Sequence, residues 1–68
     1  MEAEDKLLSL GYIDTSRQSL AQFLHEMKNP SYNVYNLLHY LRKARLCIEV
    51  VEKILSENEP EGGDKDGG

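Results

Sequence analysis

Residues 34–55, VYNLLHYLRKARLCIEVVEKIL, decide the fold of this chain. Within them, the a, d and g sites of one unbroken heptad frame are all apolar: Val34, Leu37, Tyr40, Leu41, Ala44, Cys47, Ile48, Val51, Ile54 and Leu55. Positions 34, 37, 41, 44, 48, 51 and 55 keep the alternating three-then-four spacing that lines side chains along one edge of an α-helix. A strand, with its period of two, cannot gather them on one face. The stripe predicts a long helix that needs other helices against it, from its own chain or from another.

Working outward, Asn29-Pro30 precedes this segment and Glu59-Pro60 follows it, with no breaker between. The residue before proline avoids helical geometry and proline suits the first helical position, so Asn29 reads as an N-cap and the helix as about residues 30–58. Upstream, Asp14 and Thr15 are good N-caps, and Thr15-Ser16-Arg17-Gln18 matches a capping box. These signals predict a helix over about 15–28, with Leu20, Phe23, Leu24 and Met27 on its packing side. Residues 2–10 read as a short helix with acidic residues in its first turn, closed by Gly11 as a C-terminal cap. The expected architecture is all-α: two short helices and one long amphipathic helix forming a small three-helix unit, paired into a dimeric helical bundle. Residues 1–59 are the helical association domain, and the acidic, glycine-rich 60–68 reads as a disordered tail.

A 68-residue chain buries only about 60% of the surface it exposes when unfolded, so its core is thin without reinforcement. The single Cys47 rules out an intrachain disulfide, and Cys47, His25 and His39 are too few and too scattered for a closed zinc site. Oligomerisation or the binding of a partner remains as the reinforcement. The lone cysteine and the acidic N-terminal segment fit an intracellular protein, cytoplasmic or nuclear, and no apolar run approaches the roughly 20 residues of a bilayer span.

The association interface predicted from the stripe is Leu37, Leu41, Ala44, Ile48, Val51, Ile54 and Leu55. Its partner is a second copy of the chain, another helical protein, or both. The layout of a capped helix, a proline turn and a longer amphipathic helix is similar to dimerising helical hairpins such as the docking modules of kinase regulatory subunits, in layout and not in motif.

Charge is uneven. Arg17 to Arg45 carries five basic residues against Glu26 alone, while the rest of the chain nets −8, for −4 in all. In the basic middle, Tyr32, Asn36, His39 and Lys43 form one helical stripe with Arg42 and Tyr35 beside it, a combination able to contact phosphates, base edges or an acidic peptide. Thr15-Ser-Arg-Gln-Ser-Leu-Ala-Gln-Phe-Leu24 also resembles the first helix of helix-turn-helix DNA-binding domains over ten residues. That resemblance implies a recognition helix beginning at Pro30, although the turn lacks the usual short glycine form and the pI is near 5.0. Nucleic-acid binding is therefore the alternative function. No nucleophile, paired carboxylates or phosphate loop accompanies the two histidines, so neither enzymatic activity nor a cofactor is expected.

Overall fold

The computed structural model of the chain describes residues 2–59. The described chain is all-α and holds two helices, α1 (Ala3–Met27) and α2 (Val34–Glu57), joined by residues 28–33 into an antiparallel hairpin. The three-helix expectation is corrected on this point: residues 2–10 and 15–28 are not two helices but one. The predicted tail lies outside the described residues.

The signals that predicted a break at Gly11 are spent inside α1. The Thr15 hydroxyl donates to the Gly11 carbonyl one turn back (3.0 Å) instead of capping a new helix. Asp14 accepts from the Arg17 guanidinium (2.6 Å) and the Gln18 amide (2.7 Å), so the residues of the apparent capping box brace a helix already under way. A glycine in a helix interior costs about 1 kcal/mol relative to alanine. Stopping there would instead orphan the backbone groups of two more helix ends.

The proline turn holds, but α2 starts later than Pro30. Tyr32 N–H donates to the Asn29 carbonyl (3.1 Å), which puts Pro30 at the second position of a β-turn, where its fixed φ belongs. Asn33, not Asn29, is the N-cap: its side-chain oxygen accepts from Tyr35 N–H (2.8 Å) and Asn36 N–H (3.2 Å). The Glu26 carboxylate at the end of α1 in turn accepts the Asn33 N–H (2.8 Å), tying the cap to the preceding helix.

Two further interhelical bonds fix the register. Ser16 Oγ shares its proton between Tyr12 O on its own helix (3.1 Å) and Ala44 O on α2 (3.2 Å). Near the open end, the Asn58 amide donates to Asp5 Oδ2 (3.1 Å). A serine hydroxyl reaches a facing helix's carbonyl only where both facing residues are small.

The core is one seam wide. Its fully buried members are Leu37, Ala44 and Val51 from α2 and Ser16 and Ser19 from α1, with Phe23, Tyr40, Cys47 and Ile54 half-buried beside them.

Candidate association face

Apart from half-buried Thr15, the residues turned inward obey one heptad on each helix. On α1 these are Asp5, Ser9, Ser16, Ser19, Phe23 and Glu26; on α2 they are Leu37, Tyr40, Ala44, Cys47, Val51, Ile54 and, just past its end, Asn58. The next position after each seam residue lies about 100° further round the helix. Because the two helices run antiparallel, that displacement carries both sets to the same side of the hairpin. On α1 this second stripe is Leu10, Ile13, Leu20, Leu24 and Met27, interrupted by Lys6 and Arg17. On α2 it is Val34, Leu38, Leu41, Ile48 and Leu55, interrupted by Arg45 and Glu52. The result is one face, two helices wide, with ten large apolar side chains that are each 37–61% exposed. The reverse side carries Thr15, Gln22, Asn36, Lys43 and Glu57 at the equivalent positions, with Leu8, Leu46 and Val50 among them.

The interface residues predicted from sequence divide between these two locations. Leu37, Ala44 and Val51 are buried and Ile54 is half-buried against α1, so a second molecule cannot reach the first three while the hairpin is closed. Leu41, Ile48 and Leu55 point outward and belong to the open face. The physical reason lies in the spacing: a strict three-four row of seven positions spans two neighbouring ridges, and α1 covers only one of them. Leu20 and Leu24, expected to pack within the chain, are likewise outward, while Phe23 between them is half-buried. The α1 half of the face, and Leu38 on α2, were not anticipated from the sequence. The signal was present as a seven-residue repeat of Ile13, Leu20 and Met27, offset by one from Tyr12, Ser19 and Glu26.

The arginines that interrupt the face each carry a local counter-charge. Arg17 pairs with Asp14 (2.6 Å) and Arg45 with Glu49 (3.1 Å), and all four side chains are solvent-exposed. The Arg17 hydrogen bond, with its positive charge second, holds the Asp14 carboxyl below its usual pKa. Ser16 and Ala44 are bonded across the hairpin, so their neighbours Arg17 and Arg45 stand level with each other at mid-face.

The alternative set also has definite places. Tyr32 lies in the turn, Asn36, His39 and Lys43 lie along α2 on the reverse side, and Arg42 stands at the outer edge on the same heptad position as Glu49, all five exposed. Arg42 lines a shallow surface depression with Arg45, Leu46 and Glu49. Among the described residues, no three His, Cys, Asp or Glu side chains converge as a metal site, and no helix is long and apolar enough to cross a membrane. Comparison with protein-family models, with curated proteins and with solved structures returns no match to this chain.

Proposed function

We propose that this hairpin is a protein–protein association module whose working surface is the two-helix apolar face. The observation that supports the reading is the concentration of ten half-exposed apolar side chains on one side of a hairpin in which, among the described residues, only three apolar residues are buried. Open patches on monomers rarely exceed a few hundred Å², and larger ones mark association sites. A single layer of two helices also leaves the inner side of a domain without its second layer, which a partner supplies.

The test uses the whole chain and a Leu20→Glu/Ile48→Glu double variant, followed by circular dichroism, light-scattering mass and binding of an apolar-surface dye. The parent either exceeds monomer mass or, as a monomer, binds the dye. The double variant abolishes whichever of these is seen while keeping its helicity. A parent that is monomeric and silent to the dye overturns the reading.

A second reading, nucleic-acid binding through Tyr32, Asn36, His39, Arg42 and Lys43, draws on the exposure of all five residues. Titration with duplex DNA at two salt concentrations separates it. Micromolar binding that weakens steeply with salt favours it, and absence of binding at low salt removes it.

A further inference from the structure

The association reading leaves the occupant of the face open, and the inference drawn here rests on that reading. We propose that the occupant is a second copy of this chain, packed face to face through a two-fold axis so that two hairpins make a four-helix bundle.

The first argument is area. The exposures of the ten apolar residues together correspond to on the order of 900 Å² of surface, close to the ~800 Å² that each partner contributes to a standard-size interface. An identical face therefore provides an apolar surface of the right size on both sides, with no other protein required.

The second argument is charge. Lys6, Arg17 and Arg45 on the face stand with Glu52 within it and with Asp14, Glu49 and Arg42 at its edges, which leaves a single positive charge in excess. A face this close to neutral repels its own copy only weakly and does not select a strongly acidic or basic stranger. Arg17 and Arg45 already have their carboxylates on the same helices, so a second face closes over paired rather than bare guanidinium groups. Standing level at mid-face, they also give a fully overlapped pair a central polar layer, which penalises slipped arrangements as single polar layers do in coiled coils.

The experiment is sedimentation equilibrium on the full chain over a thousand-fold concentration range, with the dye measurement on the same samples. The expected result is a reversible transition from 7.8 kDa to twice that mass. Leu24→Glu and Ile48→Glu, one on each helix, should each weaken self-association roughly 100-fold or more, because each buries an unpaired charge. Both positions are open in the hairpin, so helicity at low concentration should stay at the parental level. Lys43→Glu on the reverse side should leave the mass transition in place. A parent that stays at 7.8 kDa and binds the dye overturns the second-copy proposal while the association reading stands. A parent that stays at that mass and is silent to the dye overturns both. A doubled mass unaffected by either face variant also overturns the proposal, since the pairing would then run through another surface.

Discussion

The inner seam and the outer face of this hairpin reverse the usual assignment of residues. Between the helices, α1 contributes Ser9, Ser16 and Ser19, and α2 answers with Leu37, Ala44 and Val51. On the outer side both helices present aliphatic residues only partly covered. Small seam residues let the backbones approach closely, as the Ser16–Ala44 bond shows, but they bury little apolar area. The seam therefore supplies geometry more than stability. The outer face holds ten of the exposed large apolar side chains, and in the proposed reading it supplies the drive for association.

The largest way to break this contrast is Leu37→Ala, compared with Leu41→Ala four residues later. In dilute samples of the single hairpin, removing the buried Leu37 side chain should cost about 2–5 kcal/mol, the range for large-to-alanine changes in a packed site. The exposed Leu41 should cost far less there and act mainly on association. Urea denaturation at low concentration checks both, and equal losses would erase the distinction between the two sides.

Ser9 sharpens the description of the seam. Its hydroxyl is buried with no hydrogen-bond partner, so Ser9→Ala removes an unmet desolvation cost and should stabilise the hairpin by about 1 kcal/mol. A loss of stability in the same denaturation experiment would mean that the hydroxyl has a partner after all.

Gly11 tests the continuity of α1, on which the alignment of the face depends. A Cβ added there meets nothing within 4 Å. Gly11→Ala should therefore raise the melting point, with a gain of about 0.5–1 kcal/mol, because alanine costs less than glycine in a helix interior. If Gly11 were instead a left-handed cap between two short helices, the same change would destabilise.

The smallest effect concerns the rim. The Asp14 carboxyl has its pKa lowered, chiefly by the Arg17 hydrogen bond and then by the Arg17 charge. A depressed carboxylate contributes stability above its unfolded pKa and loses it as pH falls through the lower, folded value. The pair is fully exposed, so the effect on unfolding should be slight. Carboxyl NMR titration should show the Asp14 midpoint rising towards its usual value in Arg17→Gln.

Much of α2 was legible because its heptad is written in large apolar residues and bounded by Asn29-Pro30 and Pro60. The α1 half was not, for two physical reasons. Gly11, Asp14 and Thr15 are residues that end or begin helices when nothing else competes. Here their groups find partners within one helix, and packing along the whole of α2 offsets the glycine cost. The α1 seam is also lined by serines, which ordinary hydrophobic patterning reads as solvent-facing. The apolar residues beside them then read as a core, so Leu20 and Leu24 were placed inside and are found outside. The association stripe is divided for the same reason. Its positions run along α2, but only a facing helix of known register separates Leu37, Ala44 and Val51 from Leu41, Ile48 and Leu55.

The most direct measurement is the rate of thiol labelling at position 48 as a function of protein concentration. It is made on Ile48→Cys in a Cys47→Ala background, with Lys43→Cys in the same background as the reverse-side reference. The account predicts that labelling at position 48 slows markedly as concentration rises, while labelling at position 43 keeps its dilute rate. Unchanged rates at both positions over the whole range would contradict it.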